Sequence, residues 1–154
     1  MQRSKSKWIP YAQFKKIYSM VPRLTVEIVL LEDGKLFLTR RSIEPAKGKW
    51  HTPGGTVMKG ESLRQAVVRH AKEETGMTVV PKEMLGVIEY APHKGHDRQD
   101  ISIAFRVARK RRASITLDHH TDAYDFFDAL PRNMVKDQKT FYKKNLKMGA
   151  RIKK

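Results

Sequence analysis

Residues 61–75 constrain the architecture more than any other stretch, because they read as one amphipathic helix with a defined stop at the next residue. Leu63, Ala66, Val67 and Ala71 recur at helical spacing and make a single apolar stripe. Gly76 ends the run, since glycine accepts the left-handed conformation in which helices commonly terminate. His70, Glu73 and Glu74 gather on another face, because positions i, i+3 and i+4 are neighbours. Adjacent carboxylates repel unless a cation neutralises them, and hard oxygen ligands suit Mg²⁺ or Mn²⁺. The same residues also read as a solvated acidic face paired with Arg69 and Lys72.

The rest of the chain supplies strands for such a helix to cover. Residues 24–31 read as a strand, Asp33-Gly34 as a hairpin turn, and 35–40 as the return strand. Further strands are expected over 85–90, 101–109 and near 124–127. A short helix is expected over 8–21, with Phe14, Ile17 and Tyr18 on one side, closed by Pro22. A C-terminal helical stretch is expected to start at Asp128-Ala129-Leu130-Pro131 and to contain Met134, Phe141, Tyr142 and Leu146. Strands and helices mix without strict alternation, which points to a mixed sheet covered by helices.

Composition narrows the function classes. The 154 residues are 40% hydrophobic and 31% charged, a globular rather than a disordered balance. No apolar run approaches the roughly 20 residues of a membrane span. The basic N-terminus lacks the apolar stretch of a secretory signal. With no cysteine, thiolate chemistry and disulfides are excluded, and a reducing, cytoplasmic setting is expected. The net charge is +16, concentrated at the ends. Residues 1–23 carry six Lys/Arg and no acid, and residues 132–154 carry nine Lys/Arg against Asp137 alone. Such ends attract phosphorylated substrates or nucleic acid, and serve equally as a solubilising surface. Trp8, Tyr11, Phe14, Phe141 and Tyr142 interleave with these charges, a pattern suited to base stacking or to core and dimer packing.

The helix also sits in a wider pattern. Gly55 is followed after five residues by Glu61, after seven more by Arg69, and then by Glu73, Glu74, Thr75, Gly76 and apolar Met77. This resembles the Nudix box, the signature of hydrolases acting on a nucleoside diphosphate linked to another moiety. The resemblance implies a single domain over 1–154, an α/β fold built as a three-layer α/β/α sandwich on a mixed sheet, and a Mg²⁺ cofactor, with Mn²⁺ as its substitute. One position departs: His70 stands where the family has Glu, often a metal ligand or the general base. His70 then reads as a base or ligand itself, as a spectator beside a base from elsewhere, or as a mark of an inactive site.

Outside the box, the chain is similar to the GDP-mannose mannosyl hydrolase branch. The similarity lies in Phe14 before Pro22, in 41–50 before Pro53-Gly54-Gly55, in Gly86-Val87, in Asp128-Ala129-Leu130 and in Phe141-Tyr142. That branch also lacks the Glu after the box arginine and uses a late-loop histidine as base, which implies His120 here, with His119 at a metal-coordinating position. The two histidines exchange roles if the loop register shifts by one. The resemblance further implies metal ligation by the Gly54 carbonyl and Glu74, with Glu73 for a second ion, and Arg69 in the catalytic set. It implies substrate contacts from Arg41 and Glu27, and a homodimer. Thr56 replaces an arginine of the branch, and the 91–100 loop, with His93, His96, Asp97 and Arg98, is shorter. A nucleotide sugar is the expected substrate. The alternatives are a pyrophosphohydrolase attacking phosphorus in nucleotides or ADP-ribose, and a weakly catalytic domain that binds nucleic acid through its basic ends.

Overall fold

The computed structural model describes residues 9–92 and 98–148. Trp8, His93, His96 and Asp97 lie outside the described residues, as do Arg3, Lys5 and Lys7 at one end and Arg151, Lys153 and Lys154 at the other. The elements run α1 (Tyr11–Tyr18), β1 (Arg23–Glu32), β2 (Lys35–Arg41), β3 (Trp50–His51), β4 (Gly54–Thr56), α2 (Leu63–Thr75), β5 (Val79–Glu89), β6 (Asp100–Arg109), β7 (Thr121–Phe127) and α3 (Lys136–Asn145).

The near-continuous apolar run of β1 reflects burial on both faces. Val26, Ile28 and Leu30 face one core, Val29 faces the other, and the period of two separates them. Asp33 and Gly34 both take positive φ, 53° and 74°, so the turn into β2 has the twist that two-residue hairpins require. β1 pairs in parallel with β6, from Arg23↔Asp100 to Leu30↔Val107. Its pairings with β2 and β4 are antiparallel, as are β2 with β3 and β7, and β5 with β6. The sheet is therefore mixed. The stripe Ala66, Val67 and Ala71 of α2 packs on one face against Val26, Ile28, Phe37, Phe105 and Val107. Tyr142 of α3 and Met134 pack on the other against Val29, Leu36, Leu38 and Ile88. Two cores around one sheet give the α/β/α sandwich expected from the sequence.

The ends of elements differ from expectation. α1 covers only Tyr11–Tyr18 of the expected 8–21. α2 starts at Leu63, because the Ser62 hydroxyl accepts from the Gln65 N–H while the Gln65 side chain accepts from the Ser62 N–H. Gly76, at φ 71°, ends it as expected. The C-terminal helix begins at Lys136, not at Asp128. Pro131 disfavours helix in the residue before it, and Trp50 then takes over the backbone. The Trp50 N–H donates to the Asn133 carbonyl at 3.0 Å, and the Val135 N–H donates to the Trp50 carbonyl at 2.9 Å. The two short strands β3 and β4 carry too few residues to show a period. Among the described residues, no helix is long and apolar enough to cross a membrane.

Candidate active site

Glycine 54 and glycine 55 let β4 lie between β1 and α2. Glu27 pairs with Gly54 and Val26 with Gly55 across the antiparallel ladder. A Cβ on Gly54 would lie 1.9 Å from the Val26 carbonyl oxygen. One on Gly55 would lie 2.4 Å from the His70 ring. Neither position admits a side chain without moving a neighbour.

Local helical spacing then arms α2. The Arg69 guanidinium grips Glu61 at 2.5 and 2.9 Å, reaches Glu73 at 3.2 Å, and donates to the Thr56 carbonyl at 3.0 Å. Glu61 also accepts from the Met58 N–H. His70 stands beside this group, with Nε2 2.9 Å from the Thr56 carbonyl and Nδ1 3.3 Å from Glu74. Burial alone would lower the His70 pKa, but its bonds to Glu74 and to the Thr56 carbonyl raise it above the ordinary value. The imidazolium, with both nitrogens protonated, satisfies both acceptors. Burial raises the Glu74 carboxyl above its ordinary value, opposed by His70 and by the Gly54 N–H at 3.4 Å. Glu73 turns outward to Arg69 with its side chain 46% exposed.

Across β4 lies a cleft of about 110 Å³, lined in part by Glu27, Arg41, Arg23, Arg98, Gly54 and Gly55. Glu27 is 6% exposed and accepts from Tyr90 at 2.7 Å, Ser102 at 2.9 Å, Thr52 at 3.0 Å and Gln138 at 3.2 Å. Burial pushes its carboxyl up to about 7, against the pull of these donors and with help from the Glu74 charge. Arg41 donates to the Pro45 carbonyl, and burial together with Arg23 lowers its pKa. His51 is held down at about 4 by burial and by Arg41.

The two loop histidines reach this region by another route. Asp118 N–H donates to the Glu74 carbonyl at 3.1 Å, so the loop after β6 is tied to the end of α2. The Ser42 hydroxyl and N–H donate to the carbonyls of His119 and His120 respectively. The imidazoles stack edge to face with centroids 3.9 Å apart; His119 is exposed and His120 half-buried. Among the described residues, neither ring hydrogen-bonds or ion-pairs with Glu74.

The structure thus brings together Gly54, His70 and Glu74, sets Glu27 and Arg41 in the adjoining cleft, turns Glu73 away, and leaves His119 and His120 on a strapped loop. Sequence reasoning missed Thr52, Tyr90, Ser102 and Gln138. The one signal for such a network was Glu27 itself, a carboxylate inside an apolar strand. A divalent ion fits the donors present. Among the described residues, no three His, Asp or Glu side chains gather into a cage. Mg²⁺ is usually held by only one or two carboxylates, with waters and substrate phosphates completing its shell. The half-buried Glu74 carboxylate beside the Gly54 backbone offers one such anchor, and a cation there would offset the desolvation that raises its pKa.

Comparison with known proteins bears on this geometry. Residues 21–144 match the NUDIX domain. The chain is 40% identical over 82 residues to the low-salt glycan biosynthesis protein Agl8 of Haloferax volcanii, covering 53% of each chain. It is 39% identical over 84 residues to the ADP-ribose pyrophosphatase of Methanocaldococcus jannaschii, covering 54% of this chain and 49% of that one. The chain therefore spans about half the length of the curated relatives it matches. The crystal structure of a MutT protein from Methanosarcina mazei superposes with a TM-score of 0.71 at 27% identity, covering 80% of this chain and 92% of that one.

Proposed function

The chain belongs to the Nudix family, and from that premise we propose that it is a divalent-metal-dependent hydrolase of a nucleoside diphosphate linked to another group, a nucleotide sugar first among these. The observation that carries this reading is the placement of the half-buried Glu74 carboxylate against the Gly54 backbone, beside a cleft lined by Arg41. Glu74 and the Gly54 carbonyl would hold Mg²⁺, or Mn²⁺ in its place. The ion would supply charge neutralisation to the diphosphate and to the departing nucleoside diphosphate.

Every other step falls to side chains. The Arg41 guanidinium suits bidentate contact with a phosphate. Arg69 holds Glu61 and the Thr56 carbonyl, and so fixes the β4 edge on which the substrate would lie. His70, engaged at both nitrogens, positions Glu74 rather than moving a proton. His120 would accept the proton of the attacking water, and His119 would serve as a further metal ligand. Glu73, already paired with Arg69, would join only a second ion. Glu27, with four donors converging on it, would shape the cleft floor for the substrate. The exposed apolar side chains of α1, Tyr11 and Ile17, fit the homodimer implied by the resemblance to the mannosyl hydrolase branch.

A second reading, attack at phosphorus as in a pyrophosphohydrolase, is favoured by the likeness to an ADP-ribose pyrophosphatase. Hydrolysis of a panel of nucleotide sugars and nucleotides in oxygen-18 water separates the two. Label on the free sugar is the expected result. Label on a phosphate product would replace the sugar reading with the second one and make Glu73 and His70 the next residues to vary.

A further inference from the structure

The cleft has two chemically different ends. Arg23, Thr25 and Glu27 alternate onto one face of β1, and Asp100 and Ser102 of β6 lie beside them in the parallel register. Glu27 and its hydroxyl and amide partners occupy one end. Arg23 stands four residues away along the strand, about 13 Å at the usual rise. There the side chains of Arg23 and Arg98 share one carboxylate, Asp100. Arg23 binds it in fork geometry with both bonds at 2.8 Å, and Arg98 approaches it at 3.2 Å. Arg23 also donates to Thr56 Oγ1 at 3.2 Å, which brings the guanidinium next to β4. Both guanidinium carbons lie over the ring of Phe14, at 5.5 and 5.8 Å. The N-terminal helix α1 has no buried residue, and this stacked contact joins it to β1 and to the segment just before β6.

We propose that Arg23 and Arg98, seated on Phe14 and braced by Asp100, form an oxyanion subsite that takes a phosphate group of the substrate at the end of the cleft remote from Glu27. Three arginines, Arg23, Arg41 and Arg98, line the cleft against two carboxylates, Asp100 and Glu27. Among the described residues, the lining therefore carries an excess of positive charge, a strain that an anion would relieve. Burial and the neighbouring arginines lower the pKa of Arg98, in line with that strain. Planar guanidinium groups fixed by a carboxylate and an aromatic face present their donors with little entropy left to lose. Phe14 acts as a positioning residue and touches no substrate. The subsite deepens the reading of a phosphorylated substrate and rests on it only for the identity of the anion's bearer.

The test is calorimetric titration of inorganic pyrophosphate into the full chain in EDTA and about 0.15 M salt, where diffuse attraction is screened. Arg23→Gln and Arg98→Gln are each expected to weaken binding about tenfold or more, the scale of a lost charge-assisted pair. Phe14→Leu, which keeps an apolar contact without the aromatic face, is expected to weaken it about threefold. Lys35→Gln, at the distant hairpin, is expected to leave it unchanged. Unaltered affinity in Arg98→Gln and Phe14→Leu would overturn the subsite, and so would equal weakening by Lys35→Gln. Arginine-dependent pyrophosphate binding without turnover of any nucleotide substrate would keep the subsite and overturn the proposed function. Turnover with arginine-independent binding would do the reverse.

Discussion

Around α2, the polar partners come from a short piece of chain, Gly54 to Glu74. Glu27 draws its partners from four separate places: the residue before Pro53, the end of β5, β6 and α3. The first cluster is half open. Arg69 and Glu73 meet water, and their pairing follows from i, i+4 spacing alone. The second cluster is closed, and its carboxylate carries the full cost of leaving water. The contrast teaches that similar-looking polar groups answer to different forces. Local geometry arranges the α2 set, and removing one member leaves the others wet. Only tertiary packing assembles the Glu27 set: removing Glu27 leaves buried donors without an acceptor, and removing a donor leaves the buried carboxyl short of a partner.

The sharpest test of this contrast is functional. Glu74→Gln is expected to lower kcat by about 10³-fold, the scale of a lost charge-stabilising group, while urea unfolding shows a stable fold. Turnover near wild type would remove Glu74 from the metal site. His120→Gln belongs beside it, with an expected loss of about 10²-fold in kcat and unchanged Mg²⁺ affinity. Unchanged turnover would take His120 out of the reaction.

Next in size is the backbone on which both clusters rest. Gly54→Ala sets a methyl against a strand carbonyl that cannot turn aside, so a loss of about 3 kcal/mol or more is expected in urea unfolding. Gly55→Ala meets the His70 ring, which can swing away, and is expected to cost about half as much. Equal losses would mean that His70 is as rigid as the strand.

Titration distinguishes the closed cluster from the open one. The Glu27 carboxyl is raised from its ordinary 4.5 to about 7 in the folded protein. Between those values the folded state holds more protons than the unfolded state, so this group's contribution to stability falls as pH rises and levels off above about 7. In Glu27→Gln that dependence is absent. From pH 4.5 to above 7, stability relative to wild type is expected to shift by about 3 kcal/mol in the variant's favour. His51, held at about 4, works in the opposite sense, losing its contribution as pH falls from 6.5. It is common to both proteins and cancels in the difference. A difference that stays flat with pH would place Glu27 in water. The smallest effect belongs to the local set: Ser62→Ala, which opens the capping box of α2, is expected to cost about 1 kcal/mol in thermal unfolding.

Much of the fold was legible because its signals are local. The α2 stripe repeats at helical spacing, the β1 run is continuous because both its faces are buried, and the Asp33-Gly34 turn is marked by residue type; each formed where expected. Element ends were less legible. The start of α3 depends on Trp50, more than 80 residues earlier, whose backbone captures Asn133 and Val135. At the site, Gly54, Gly55, His70, Glu73 and Glu74 could be picked out as a group, yet their spacing did not reveal that Glu73 turns outward and Glu74 inward. That outcome depends on β4 lying over one side of the helix only.

By itself, the sequence determined the α/β class, the position and stop of the central helix, the Nudix pattern and the candidate carboxylates, because those depend on intervals of a few residues. Only the tertiary structure decided which carboxylate is buried, that Glu27 is ringed by Thr52, Tyr90, Ser102 and Gln138, and that Arg23 and Arg98 share Phe14. Those arrangements require the parallel register of β1 with β6 and the docking of α1 and α3. Contacts across separations of up to 111 residues leave no periodic trace in the chain that makes them.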